Sequence, residues 1–172
     1  DNTLLGSYRT PGLTRVGFEP SLNIAAEAAA AHPSIQVKND YFRASPDLAG
    51  KARALTVVAM FYDLDDPHPF IENVKATLHP EGLWVLQLAY LPAMLRHTTF
   101  DGICHEHLCY YGLHTLEPLL AGHDFHVFDA EEVDINEGSI RLYIRRGKGD
   151  ASDRLKSLRA AERSMKLDDA RT

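Results

Sequence analysis

The sequence predicts an α/β fold, a doubly wound and mainly parallel sheet with crossover helices, closed at its C-terminal end by an antiparallel β-hairpin. Three observations predict it. Short apolar runs alternate with helical patterns as far as Ala89, the mark of successive βαβ units. Residues 54–60 are apolar without interruption, as in a parallel strand buried on both faces. The alternation then stops: 125–133 and 139–145 are two strand patterns joined by the hairpin-length loop 134–138, and such a pair is antiparallel.

Taken in order, residues 13–18 form a short strand ending at Glu19-Pro20, and Ser21 can cap the alanine-rich helix that runs to about Ala31. Residues 35–37 form a second strand, ending at Asn39-Asp40. After 54–60, Asp66 and Pro67 supply an N-cap and a first-turn proline, and Phe70, Ile71, Val74 and Leu78 make one helical face. His79-Pro80-Glu81-Gly82 stops that helix, and 83–89 is another buried strand with Trp84 in the core. In the last strand Ile140, Leu142 and Ile144 alternate with Arg141, Tyr143 and Arg145, so one face is exposed. Leu155, Leu158, Ala161 and Met165 recur at helical spacing, in a segment that can pack on the domain or lead out of it. The expected division is one catalytic domain over 1–150 and a helical segment over 151–172 that leads toward a further domain. The first strand and its glycine-rich turn are expected before Asp1, because Asp1-Asn2-Thr3-Leu4-Leu5 reads as the tail of such a turn opening a helix.

Bulk properties narrow the function. The length of 172 residues suits one domain with a real core. A hydrophobic share of 45% with 24% charged residues is globular rather than disordered. The net charge of -6 argues against nucleic acid, which demands a dense basic surface. The basic residues Arg141, Arg145, Arg146 and Lys148 read as a solvated strand face. Cys104 and Cys109 lie too close for a useful loop-closing disulfide and fit reduced thiols of a cytoplasmic protein. No apolar stretch is long enough to span a bilayer. The implied partner is a small molecule, with no nucleic acid and no membrane.

Open parallel sheets bind ligands beyond the carboxyl ends of their strands. Glu19 stands at one such end, where a carboxylate can accept from both ribose hydroxyls of an adenosine. Asp40 stands at the next, suited to an adenine amino group, with Tyr41 or Phe42 beside the ring. Residues 59–63, including Ala59, Met60 and Asp63, line the far side. The densest chemistry is Phe100-Asp101-Gly102-Ile103-Cys104-His105-Glu106-His107-Leu108-Cys109-Tyr110-Tyr111. It admits three readings. A zinc site would use His105-Glu106-x-x-Cys109, but the second imidazole is replaced by cysteine and no third ligand has a recognisable spacing, so no metal is expected. The histidines can instead be hydrogen-bonded loop residues. The residues favour the third reading, proton transfer by imidazole near neutral pH. Tyr90, Tyr110 and Tyr111 are candidates for stacking on a sugar or base, and equally for core phenols with one wet end. His68, at a helix start, reads as a capping neighbour.

These blocks carry a resemblance. The doubly wound sheet closed by a hairpin, with the glycine-rich turn reduced to Asp1 and Asn2, is similar to the Rossmann-like sheet of class I methyltransferases. Phe100 to His107, the Gly-Ser-Ile-Arg-Leu-Tyr-Ile-Arg strand and Asp65-Asp66-Pro67-His68 resemble the sugar C-methyltransferases of deoxysugar biosynthesis, and the Glu106-His107 block is the most specific part. The resemblance implies S-adenosylmethionine as cofactor, held by Asp1, Asn2, Glu19, Asp40, Tyr41, Ala59 and Met60, and a nucleotide-linked ketosugar as acceptor. It implies that His107 takes a proton from the carbon next to a ketone, with Glu106 orienting that imidazole and His105 beside them. Asp63, Tyr90, Cys104 and Tyr110 would meet the acceptor. Cys104 stands where one member has tyrosine, Asp63 where it has histidine, and His105 where some have aspartate. The alternatives are O- or N-methylation of another small molecule, or a non-catalytic remnant of the fold.

Overall fold

The computed structural model describes residues 2–135 and 138–167. Asp1, expected at the cofactor, lies outside the described residues. Two compact units make up the chain, Asp1–Arg43 and Ala44–Thr172.

The first unit holds α1 (Thr3–Ser7), β1 (Val16–Phe18), α2 (Leu22–Ala31) and β2 (Gln36–Lys38). β1 and β2 are parallel, with Val16 opposite Gln36 and Phe18 opposite Lys38. Ala25 and Ala28 are the buried residues of α2, small enough to let the helix close on its strand. Gly17 is equally constrained, because a Cβ there would overlap the Asn2 carboxamide. Asn2 itself precedes α1 in the left-handed region at φ 60°, which asparagine tolerates better than most residues. Ser21 precedes α2 as expected but does not cap it: its hydroxyl donates to Asn23 Oδ1 at 2.6 Å, while its own backbone N–H donates to Glu19 Oε1 at 2.9 Å.

The second unit contains β3 (Ala52–Val58), a 3₁₀ turn (Phe61–Asp63), α3 (Pro67–Thr77), β4 (Leu78–Ala89), α4 (Leu91–His97), α5 (Leu113–Ala121), β5 (Phe125–Val133), β6 (Ser139–Arg146) and α6 (Asp153–Ser164). Its sheet has the order β3-β4-β6-β5. β3 and β4 are parallel, and β6 is antiparallel to both β4 and β5, so the sheet is mixed. Trp84, fully buried, takes Phe61 and Phe125 edge-on at 6.3 and 5.4 Å. A ring of this kind removes about 150–250 Å² from water at roughly 25 cal/mol per Å², so this aromatic group is a principal apolar term. Ile140, Leu142 and Ile144 of β6 extend it and are completely covered.

Three expectations are corrected. α3 starts as predicted, with Asp66 accepting from the His68 N–H at 2.9 Å, but β4 begins at Leu78 rather than residue 83. Residues 78–82 join the sheet through a register shift opposite Ala52 and Ala54, and a side chain at Gly82 would come within 2.7 Å of the Ala52 carbonyl. β3 is not buried on both faces: Val57 is covered while Val58, which points to the other face, is 42% exposed. The polar face of β6 is a bonded network rather than a set of solvated cations. Arg141 donates to Gln87 Oε1 at 2.8 and 3.0 Å and to Glu131 at 3.2 Å, and the Tyr143 hydroxyl donates to Glu131 at 2.7 Å. α6 packs on this unit, one of the two placements open to the helical segment. Ser152 caps it by accepting from the Leu155 N–H at 3.0 Å, Arg154 pairs with Asp129 and Glu131, and Leu155 is fully buried. The predicted face is turned slightly: Glu162 is buried and Ala161 exposed. Among the described residues no helix is long and apolar enough to cross a membrane.

Candidate active site

In the second unit β3 and β4 run parallel as far as Val58 opposite Gln87, and the candidate residues lie beyond those carboxyl ends. The chain leaves β3 through Ala59, which takes the left-handed conformation at φ 52°. That is uncommon for a residue with a Cβ, and here it turns the chain into the 3₁₀ turn at Phe61–Asp63. Beyond β4, residues 98–111 return across this turn. The Leu108 and Cys109 N–H groups both donate to the Tyr62 carbonyl, at 3.0 and 3.1 Å. Tyr111 is fastened to the end of β4, its carbonyl accepting from the Leu91 N–H at 3.0 Å.

Between these segments lies a cavity of about 590 Å³, with Ala59, Tyr62 and Asp63 on one side and residues 105–108 on the other. His107 is the ordered imidazole of the set. Its Nδ1 is 2.8 Å from the Gly102 carbonyl oxygen, and a carbonyl only accepts, so Nδ1 carries a proton and, in the neutral ring, Nε2 is the nitrogen with the lone pair. Its ring centroid is 4.2 Å from that of Tyr62. Desolvation, followed by the charges of Asp63 and Cys104, pushes the Tyr62 phenol above its ordinary pKa. Desolvation also raises the Asp63 carboxyl, His107 opposing and Glu106 reinforcing that shift.

Several predicted residues meet here and others do not. His105, Glu106, His107, Asp63 and Ala59 share the cavity, but the group on His107 Nδ1 is the Gly102 carbonyl rather than Glu106. The Glu106 carboxylate lies 4.0 Å from His105 Nε2, both side chains being largely exposed. Tyr110 sends its hydroxyl to the same Gly102 carbonyl at 3.4 Å, and the Cys104 carbonyl accepts from the His107 N–H at 3.2 Å. Met60 precedes the 3₁₀ turn. Tyr90 is corrected. It is 1% exposed and its hydroxyl donates to Glu162 Oε2 at 2.7 Å, so it is a core phenol, with a pKa raised first by burial and then by that bond. Tyr111 is buried as well. Tyr62 falls within the predicted lining 59–63 but was not singled out, and Gly102, whose contact with His107 is through its backbone carbonyl, left no side-chain signal in the sequence.

In the first unit, Glu19 and Asp40 follow the adjacent ends of β1 and β2, where the Glu19 N–H donates to the Lys38 carbonyl at 3.0 Å. Asn39 bridges the two ends by donating to the Glu19 and Pro20 carbonyls at 2.9 and 3.0 Å. Asp40 Oδ1 accepts from the Tyr41 N–H at 2.8 Å, and the Tyr41 ring is 68% exposed. The Asn2 amide nitrogen is buried without a hydrogen-bond partner. An orphaned donor at this place suits an anionic ligand group such as the carboxylate of an amino acid.

Known proteins agree with this architecture. The C-methyltransferase NovU of Streptomyces niveus is 29% identical over 163 residues, 92% of this chain and 39% of NovU. The chain thus spans about two fifths of the length of that curated relative. Among solved structures, the complex of the Haloferax volcanii Trm112 methyltransferase activator with a methyltransferase superposes with a TM-score of 0.69 at 16% identity, over 84% of this chain and 77% of that one. A SAM-dependent methyltransferase from Aquifex aeolicus gives 0.57 at 13% identity, over 76% and 68%. The family described as "Methyltransferase domain" matches residues 3–130. The chain therefore belongs to the methyltransferase-domain family and is an S-adenosylmethionine-dependent methyltransferase domain of α/β fold, with S-adenosylmethionine as its expected cofactor.

Proposed function

We propose that this domain methylates the carbon next to a ketone in a nucleotide-linked sugar, with His107 as the base that frees that carbon. The observation that carries the reading is the bond from His107 Nδ1 to the Gly102 carbonyl. It fixes the tautomer in which Nε2 is the basic nitrogen, in a ring that lines the cavity. Carbon acids need such a base, whereas a hydroxyl or amine acceptor needs less. The similarity to a C-methyltransferase and the Glu106-His107 block support the same choice.

S-adenosylmethionine supplies an electrophilic methyl group on a sulfonium. Within the first unit Asn2, Glu19, Asp40 and Tyr41 are assigned to that cofactor, Glu19 to its ribose hydroxyls and Asp40 to its adenine. In the second unit Asp63, Cys104 and Tyr110 are assigned to the acceptor, while His105 and Glu106, both exposed, meet its polar substituents at the cavity mouth.

The test is transfer of a labelled methyl group from S-adenosylmethionine to a nucleotide-linked ketosugar, with the methylated atom identified by NMR. His107→Ala is expected to lower turnover by about 10²–10⁴-fold and to leave cofactor affinity unchanged. Label on oxygen or nitrogen, or a variant within a few-fold of the parent, would overturn the assignment.

A further inference from the structure

The carbon-methylation reading leaves one charge without a partner. When a base removes the proton next to a ketone, the electron pair of that C–H bond forms the new C=C bond, and the carbonyl π pair moves onto oxygen. Water is a poor answer to this charge at a cavity wall, and a fixed donor is a better one. The donor must lie beside the base, because the departing proton and the carbonyl oxygen are on adjacent carbons.

Tyr62 meets these conditions. Its ring is 7% exposed, it lines the same cavity as His107, and the two ring centroids are 4.2 Å apart. Its backbone carbonyl takes the Leu108 and Cys109 amides, so the residue that carries the phenol also anchors the segment that carries the imidazole. Among the described residues the hydroxyl has no hydrogen-bond partner within the chain, and it is not one of the sealed polar atoms left unsatisfied. A buried ring with an uncommitted O–H at a cavity is a donor held ready. Burial and the neighbouring Asp63 and Cys104 favour its neutral form, the form that donates.

We infer that the Tyr62 hydroxyl donates a hydrogen bond to the acceptor's carbonyl oxygen while His107 Nε2 takes the proton from the adjacent carbon. The inference rests on the carbon-methylation reading. The proton passes to imidazole, which becomes imidazolium. The negative charge rests on the oxygen bonded to Tyr62, and the phenol keeps its own proton throughout. When that carbon later takes a methyl group, the C=C pair would form the new C–C bond, the carbon–sulfur pair would leave with the sulfur, and the carbonyl would be restored as the hydrogen bond relaxes.

The experiment follows exchange of the carbon-bound hydrogen for solvent deuterium in a nucleotide-linked ketosugar, by NMR, with the intact protein. Tyr62→Phe removes one oxygen atom and no hydrogen bond of the fold, so its melting temperature should match the parent's. Exchange and kcat should fall about 10²–10³-fold, as for loss of one oxyanion donor, with KM for S-adenosylmethionine unchanged. Parent exchange with an unimpaired Tyr62→Phe variant overturns the role of Tyr62 alone. A fall confined to KM overturns it too, since that places the hydroxyl in ground-state binding. No exchange or methyl transfer by the parent overturns the proposed reaction and Tyr62's part in it together.

Discussion

Glu162 is the residue on which the C-terminal helix turns. Its carboxylate accepts from the Leu113 and His114 N–H groups at 2.8 and 2.7 Å, from the Tyr90 hydroxyl at 2.7 Å and from the His114 ring at 2.6 Å. It thereby caps α5 from α6. Burial alone would raise its pKa, but the backbone amide of His114, the Tyr90 phenol, the Leu113 amide and the His114 ring together hold it below the ordinary carboxylate range. Glu162→Ala leaves those buried donors unmet and is expected to cost about 3–5 kcal/mol, read as a lowered urea midpoint at unchanged slope. A loss under 1 kcal/mol would mean that water satisfies them instead. None of this was legible in the sequence, because Glu162 lies 72 residues from Tyr90 and carries no local signal. At the site the limit is different, since Gly102 precedes His107 by only five residues but acts through its backbone. The cluster around His105 and His107 stood out by composition, yet only the folded backbone brings the Gly102 carbonyl to His107 and leaves His105 in water.

At the scale of elements, period and breakers carried most of the reading. The alternation of Ile140, Leu142 and Ile144 marked β6, and Asp66-Pro67 marked the start of α3. Where two signals conflicted, the wrong one stood out: Pro80 and Gly82 look like a helix stop and a loop, while the chain there already runs as β4 through a shifted register. The short helices α4 and α5 had no strong period and were not foreseen. Gly82 makes the shift testable. A side chain there would meet the Ala52 carbonyl at 2.7 Å and the Leu78 side chain at 2.8 Å. Gly82→Val is expected to destabilise by about 1–3 kcal/mol through overpacking, measured by thermal unfolding. An unchanged melting temperature would show that the strand start yields without cost.

Over the whole molecule, the carboxylates that bind α6 should set its acid stability. Asp129 is held below its ordinary pKa first by Arg154, Glu131 first by the Tyr143 hydroxyl, and Glu162 by its four donors. A carboxyl depressed in the folded state contributes stability that is complete above its unfolded value, about 3.9 to 4.3, and is lost as pH falls through the lower folded value. Circular dichroism during an acid titration should therefore show unfolding below about pH 4, and Arg154→Ala should move the midpoint upward. A midpoint indifferent to Arg154 would remove this network from acid stability. The cap on α5 also has a consequence in time. A ribosome adds about 5–20 residues per second, and Glu162 follows Leu113 by 49 residues. For roughly 2–10 s of synthesis the first amides of α5, and for roughly 4–14 s the Tyr90 hydroxyl, 72 residues ahead of Glu162, have to wait for their partner, so the nascent chain cannot close over them in this way until α6 has been made.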